Sequence, residues 1–135
     1  MAHDYGNQNY GSYQPPAPQP LSPDEERSWA TVAHGVPAVA LVISAGTLGF
    51  VASLVIYLMY KDRGPFFRAH AANSLNVQIM TLIYLAISAV LFLALIGFVL
   101  YPLVIVIAVV FHVVGAMRAN QGQWWTPPFT PRFVR

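Results

Sequence analysis

The stretch "AHAANSLNVQIMTLIYLAISAVLFLALIGFVLYPLVIVIAVVFHVVGAM", residues 69–117, contains no Asp, Glu, Lys or Arg. As one continuous helix these 49 residues would measure roughly 74 Å, against roughly 30 Å for the hydrocarbon core of a bilayer. Gly97 and Pro102 interrupt the stretch, and both residue types mark chain reversals. The stretch therefore predicts two antiparallel membrane-spanning helices, one ending near Phe98 and one from about Tyr101 to Met117.

The composition is that of a membrane protein. Hydrophobic residues make up 56% of the 135 residues and charged residues 9%, whereas soluble domains carry about 25% charged residues. The net charge is +2 and the basic residues are scattered, so no nucleic-acid-binding surface is expected. A pI near 9.2 suits contact with anionic lipid headgroups. Because the chain has no cysteine, disulfides, iron–sulfur clusters and thiolate zinc sites are excluded.

A helix is expected to begin directly after Ser22. Ser22 and Glu25 have the spacing of a capping box, and Pro23 suits the first helical position. Pro37 disfavours helical geometry in the residue before it. We therefore expect an N-terminal interfacial amphipathic helix from about Pro23 to Gly35.

The apolar region that follows has two interpretations. The preferred one is a single span from Pro37 to about Tyr60, which gives an all-α integral membrane protein with three transmembrane helices. The alternative breaks the region near residues 44–47, so that residues 29–60 form a hairpin and the chain has four helices. A hairpin returns the chain to its starting side, so the side of the N-terminal tail distinguishes the two.

Basic residues set the expected orientation. Six of the seven Lys and Arg residues follow Tyr60, and none falls in the turn near Gly97, so the C-terminus of this multi-pass protein is placed on the cytoplasmic side of a bacterial plasma membrane. The expected organisation is a disordered Tyr/Gln/Pro-rich tail (1–21), a helical membrane domain (22–119) and a Trp/Pro-rich cytoplasmic tail (120–135). The residues expected to anchor the chain at the membrane interface are Trp29, Lys61, Arg63, Arg68, Arg118, Trp124 and Trp125.

Small residues recur at four-residue spacing and predict close helix contacts. Ala45, Gly49 and Ser53 form one such row, and Gly115 and Ala119 form another. These rows pack either within the chain or against a second copy or another membrane protein. The expected partners are therefore the lipid bilayer and a membrane protein or second copy, without nucleic acid.

A polar stripe is predicted on the helix that opens the long uncharged stretch. At roughly 100° per residue its members fall within an arc of roughly 140°. They are His70, Asn73, Ser74, Gln78, Thr81, Tyr84 and Ser88. Asn76 lies outside the arc. Because an unpaired amide is costly in lipid, the stripe is expected to face the protein interior or a wet cavity.

The polar stripe has three interpretations. Helix–helix hydrogen bonding is favoured, because no acidic or basic residue accompanies the polar groups. The second is a polar path for an ion or solute. The third is a catalytic or metal site built from His70 and His112, with His34 as a third ligand, if the fold brings them together. No Asp or Glu follows Asp62 and no catalytic motif is present, so we expect no enzymatic activity, no cofactor and no metal.

Three sequence blocks carry a family resemblance: "ERSWATVAHG" (26–35), "KDRGPFFRAHAANSLNVQI" (61–79) and "MRANQGQWW" (117–125). Together they resemble the small bacterial membrane proteins of domain-of-unknown-function family 4870, which are similar to the Tic import component of the chloroplast inner envelope. The resemblance extends from about Asp24 to Pro128. The matching positions are Trp29, His34, Lys61, Pro65, Phe66, His70, Asn76, Gln78, Ala119, Asn120 and Gly122. The resemblance implies a membrane-embedded accessory or translocation-related role.

The sequence thus predicts a small, non-enzymatic integral membrane protein that acts as an accessory subunit or assembly factor of a membrane complex. The alternative is a channel or transporter component that uses the polar stripe of the second transmembrane helix.

Overall fold

The computed structural model describes residue 11 and residues 14–135. These residues form four α-helices and no strand: α1 (Pro23–Ile43), α2 (Leu48–Tyr60), α3 (Pro65–Leu91) and α4 (Gly97–Asn120), with a short 3-10 helix at Phe92–Ala94 between α3 and α4. The all-α prediction is confirmed. Most of the predicted disordered tail, residues 1–10 and 12–13, lies outside the described residues.

Helix α1 begins as predicted but does not end at Gly35. Ser22 caps it, since the Ser22 Oγ accepts from the Glu25 backbone N–H at 3.3 Å and the Glu25 carboxylate accepts from the Ser22 N–H at 2.8 Å. Pro37 removes only the hydrogen bond to the Ala33 carbonyl. The proline is buried on the same face as Ala33, and the packing of that face sustains the helix. The predicted short interfacial helix is therefore wrong.

A sharp turn separates α1 from α2. Ala45 and Gly46 have φ angles of 51° and 108°, and the Gly46 N–H donates to the Leu41 carbonyl at 2.8 Å, which closes the helix end. Gly46 lies directly against Leu85, where a Cβ would overlap the leucine side chain. A continuous span from Pro37 to Tyr60 is therefore wrong, and the described residues form the four helices of the alternative interpretation.

Two helices have the length and apolar character that crossing a bilayer requires. They are the segment Pro65–Ala94, of 30 residues, and α4, of 24 residues. Helix α2 is apolar but has only 13 residues, or about 20 Å. Three transmembrane helices are thus not confirmed.

The four helices run alternately up and down. The start of α1, the loop at residues 61–64 and the end of α4 lie at one end of the bundle, which we call the charged end. The turns at residues 44–47 and 92–96 lie towards the opposite, apolar end. Every Asp, Glu, Lys and Arg of residues 14–135 lies in segments at or near the charged end.

The first half of α3 is the centre of the bundle. Residues 70–78 are buried on every side, because α1, α2, α4 and residues 121–135 surround them. We call residues 121–135 the C-terminal segment. This central position brings the polar side chains of α3 into contact with several elements at once.

Candidate functional site

Two side chains of α3 bond directly to neighbouring helices. The hydroxyls of Ser74 and Ser53, on α2, lie 3.0 Å apart, and the Gln78 amide contacts the His112 Nε2, on α4, at 2.7 Å. All four side chains are buried. The polar stripe therefore joins α3 to two other helices.

Beyond Gln78, the hydroxyl groups of Thr81 and Ser88 bond within α3 instead of to other helices. The Thr81 hydroxyl donates to the Val77 carbonyl at 2.8 Å, and the Ser88 hydroxyl donates to the Tyr84 carbonyl at 2.8 Å, both within α3. Tyr84 is 47% exposed and lies on the surface. These two hydroxyls thus bond to backbone carbonyls of α3 itself and do not connect α3 to another helix.

Asn76, which falls outside the stripe, binds the C-terminal segment. Its amide nitrogen donates to the Val134 carbonyl at 3.1 Å, and its amide oxygen accepts from the Val134 N–H at 2.8 Å. This paired arrangement satisfies both backbone groups of Val134. Asn76 therefore has a hydrogen-bond partner of its own, although it lies outside the stripe.

The C-terminal segment makes further contacts with α3 and one with α2. The carbonyl of Gln123 lies 2.8 Å from the His70 Nε2, and the carbonyl of Trp125 accepts from the Asn73 amide. The backbone oxygen of Arg135 accepts from the Tyr57 hydroxyl at 2.9 Å. The segment expected to be a cytoplasmic tail is thus packed against the bundle.

Three histidines from three helices meet beside these contacts. His34 of α1, His70 of α3 and His112 of α4 are each 0% exposed. The ring centre of His34 lies 5.6 Å from that of His70 and 5.6 Å from that of His112. Trp125 closes one side, with its ring centre 5.7 Å from His34. We call these three residues the histidine cluster.

Several polar atoms of the histidine cluster lack a hydrogen-bond partner within the described part of the chain. They are both ring nitrogens of His34, the Nδ1 atoms of His70 and His112, and the neighbouring Gln78 Oε1. Among the residues that the structure describes, no group of three or more His, Cys, Asp or Glu side chains could hold a metal ion. The cluster is therefore a buried concentration of unpaired nitrogen atoms.

The predicted small residues make room for polar side chains. A Cβ atom at Gly49 would lie 2.6 Å from the Gln78 Oε1, and one at Gly115 would overlap the His34 ring. Ser53 bonds to Ser74, and Ala119 is 0% exposed on α4. Ala45, by contrast, lies in the turn and is exposed. Its predicted place in a helix-packing row is therefore wrong.

A family model matches residues 25–134, which include α2, α3, α4, all but the first two residues of α1, the histidine cluster and Val134. The model describes the magnetosome magnetite crystal formation proteins, MamF/MmsF. The chain belongs to this family. Searches among curated proteins and among solved structures each found no match. With its two long apolar helices, the MamF/MmsF chain is a small membrane protein.

The family match corrects the earlier resemblance. The assignment to domain-of-unknown-function family 4870 and its Tic-like relatives is wrong, because the model that matches is that of the MamF/MmsF proteins. The three sequence blocks that carried the resemblance all fall within or at the edge of the matched region. The translocation-related role therefore loses its support.

The predicted interface anchors of this MamF/MmsF chain gather at the charged end. Trp29 stacks on Tyr60 with ring centres 4.3 Å apart, and the Arg63 Nε donates to the Gln19 carbonyl at 2.9 Å. The other anchors at this end make these contacts: Lys61 with the Tyr57 ring, Arg68 with the Arg135 carbonyl, Arg118 with Gln123, and Trp124 with Phe66. Trp125 is turned inward to the histidine cluster.

Sequence reasoning missed the contacts that the C-terminal segment makes. Gln123, Trp125 and Val134 take part through backbone carbonyls and one N–H. Backbone groups leave no signature in residue type. The only available signal was Asn76 itself, a polar residue on the wrong side of the predicted stripe.

Proposed function

We propose that this chain is a non-enzymatic, multi-pass component of the magnetosome membrane that acts as an accessory subunit in magnetite crystal formation. The observation that carries the proposal is the family match, which covers residues 25–134 and therefore nearly the whole bundle and the C-terminal segment up to Val134. The family is that of the magnetosome magnetite crystal formation proteins, and we assign the same role to this chain.

The surface of the bundle supports a membrane position. Large apolar side chains on the outside of α2 and α4 are exposed, among them Met59 at 61% and Val106 at 58%. In water such a surface would favour aggregation, whereas in lipid it is matched to its solvent. We place α3 and α4 across the bilayer and the α1–α2 hairpin against them.

The charge distribution supports one orientation. Lys and Arg outnumber Asp and Glu at the charged end, with seven against four among residues 14–135, so we place this end on the cytoplasmic side. The start of α1 and the C-terminal segment then share that side. The turn at residues 92–96 faces the opposite side, with Leu93 93% exposed.

The internal contacts favour an accessory role over a solute path. Gln78, Ser74, Asn73 and Asn76 each bond to another part of the bundle. Polar groups that pair in this way stabilise a defined shape. A bundle held together by such bonds, with an exposed apolar end, is suited to docking against a second copy or another membrane protein.

Deletion and complementation test the proposal. In a magnetite-forming bacterium, loss of this chain should change the size or shape of the crystals seen by electron microscopy, and the wild-type chain should restore them. Gentle detergent extraction after crosslinking should also recover the chain with a partner or a second copy. Unchanged crystals in the deletion strain would contradict the role in crystal formation, and recovery of the monomer alone would contradict the accessory role.

A further inference from the structure

We propose that a cavity at the charged end binds the phosphate group of an anionic phospholipid. The cavity has a volume of about 490 Å³ and lies between the start of α3 and the C-terminal segment. We call it the arginine cavity. Its lining residues include Arg68, Asn73, Trp124, Trp125, Arg132 and Arg135. The site requires the membrane position of α3 proposed above, but it does not depend on the role in crystal formation.

The arginine cavity is positively charged. Among the described residues, three arginine side chains line it and no Asp or Glu side chain does. The ion pair found in the described part of the chain joins Arg27 to Asp24, so no acidic side chain there neutralises the three guanidinium groups. A free carboxylate at Arg135 would cancel one of the three charges and leave the cavity cationic. Such a cavity attracts an anion.

The arginines keep hydrogen-bond donors for a ligand. The Arg68 Nε and Nη2 donate to the Arg135 carbonyl at 3.3 and 3.2 Å, and the Arg132 Nη2 donates to the Thr126 hydroxyl at 3.3 Å. A guanidinium group has five N–H donors, so these contacts leave several donors on each side chain. The planar arrangement of those donors matches the oxygens of a phosphate group.

The C-terminal segment forms one wall of the arginine cavity, and hydrogen bonds hold it against α3. The Asn73 amide donates to the Trp125 carbonyl, and Asn76 pairs with the backbone of Val134. Both asparagines lie on the central helix and are buried. The packing of the bundle therefore sets the positions of both walls before any ligand binds.

The surroundings of the arginine cavity favour a lipid headgroup over a free phosphate ion. Trp124, one of its lining residues, is 64% exposed, and tryptophan is enriched at the level of the headgroups. A second cavity, of about 180 Å³ and with mostly apolar lining, is formed by α3 within residues 77–84 and α4 within residues 104–111. These residues of α3 follow those of the arginine cavity, 65–73, towards the membrane interior, as acyl chains follow a headgroup. Basic pockets beside transmembrane helices bind anionic headgroups in other proteins.

Native mass spectrometry tests the site on the full chain in mild detergent, with phosphatidylglycerol and phosphatidylcholine of equal acyl chains offered together. The wild type should retain phosphatidylglycerol in preference to phosphatidylcholine. Arg68→Gln and Arg132→Gln keep a side-chain N–H donor but lose the charge, and each should weaken phosphatidylglycerol binding by roughly fivefold.

Arg118→Gln is the matched control for these variants. Arg118 is an exposed arginine near the same end of the bundle, bonds to Gln123 and is not among the lining residues of the arginine cavity. Its loss should leave the lipid preference unchanged. Equal retention of the two lipids by the wild type, or an equal loss of binding in Arg118→Gln, would overturn the site.

Inorganic phosphate distinguishes a lipid site from a site for a free ion. Millimolar phosphate should not displace phosphatidylglycerol from the wild type. Displacement at that concentration would contradict the assignment to a lipid.

A further measurement needs no substitution, because Trp124 and Trp125 line the arginine cavity. In vesicles, phosphatidylglycerol brominated near its headgroup should quench the tryptophan fluorescence of the wild type more than equally brominated phosphatidylcholine does. Equal quenching would contradict the site. A failure of any of these experiments would leave the deletion phenotype in crystal formation unaffected, so the two proposals are separable.

Discussion

Asn76 and Val134 are 58 residues apart in the chain and form a pair of hydrogen bonds, at 3.1 and 2.8 Å. The pair joins the middle of the central helix to the C-terminal segment. Together with the contacts of His70 and Asn73, it makes the segment part of the bundle and places Trp125 against the histidine cluster.

Replacing Asn76 should release the C-terminal segment. Asn76→Leu leaves the N–H and carbonyl of Val134 without their partner, which we expect to lower the free energy of unfolding by about 1–3 kcal/mol. Hydrogen exchange and limited proteolysis in detergent should show faster exchange and cleavage within residues 121–135. Ser88→Ala is the control, because its hydroxyl bonds only to its own helix. Unchanged protection in Asn76→Leu would show that the pair does not hold the segment.

Two helical glycines, Gly49 in the first turn of α2 and Gly35 within α1, should respond in opposite ways to alanine. Gly49→Ala places a Cβ 2.6 Å from the Gln78 Oε1, so Gln78 must move from His112, and we expect a loss of about 1–3 kcal/mol in the free energy of unfolding. At Gly35 a Cβ meets nothing within 4 Å, so Gly35→Ala should stabilise α1 by up to about 1 kcal/mol. Unfolding of both variants in detergent measures the difference. Equal effects would contradict the proposed close contact at Gly49.

The stability of the N-terminal end of α1 should depend on pH. Hydrogen bonds from the backbone and side chain of Ser22 lower the pKa of Glu25 below its ordinary value. A carboxyl group with a lowered pKa stabilises the fold fully above its ordinary pKa, and that contribution is lost as the pH falls through the lowered value. Ser22→Ala should therefore raise the pKa of Glu25, which carboxyl NMR can follow.

The matched control for this prediction is Thr31→Ala. The Thr31 hydroxyl donates only to the Arg27 carbonyl, so its loss should leave the titration of Glu25 unchanged. An unchanged pKa of Glu25 in Ser22→Ala, or equal shifts in both variants, would contradict the capping interaction as its cause.

The sequence predicts local features of this fold better than long-range ones. The cap at Ser22 is a short-range hydrogen-bond pattern, and it is present as predicted. The sequence did not predict that α1 continues beyond Pro37. The packing of the buried face of α1 outweighs the one backbone hydrogen bond that Pro37 removes. The turn at Ala45 was only an alternative, since its stability depends on contacts with distant residues such as Tyr101, whose hydroxyl donates to the Ala45 carbonyl at 2.6 Å.

The candidate site, too, was predicted in its local features but not in its long-range contacts. The periodicity of α3 indicated polar side chains on one face, but it could not identify what each would contact. The meeting of His34, His70 and His112 depends on how three helices pack, which no spacing in the sequence specifies. The return of the C-terminal segment to Asn76 depends on backbone groups, which any residue type supplies.

The membrane sides of residues 14 and 99 distinguish the hairpin topology from three spans. The chain has no native cysteine, so Gln14→Cys and Val99→Cys can each be labelled with a membrane-impermeant thiol reagent in sealed vesicles. Both positions are exposed. The four-helix bundle with α3 and α4 across the bilayer predicts labelling of the two cysteines from opposite sides, with Gln14→Cys on the side of the C-terminal segment. Labelling of both from the same side would contradict this topology.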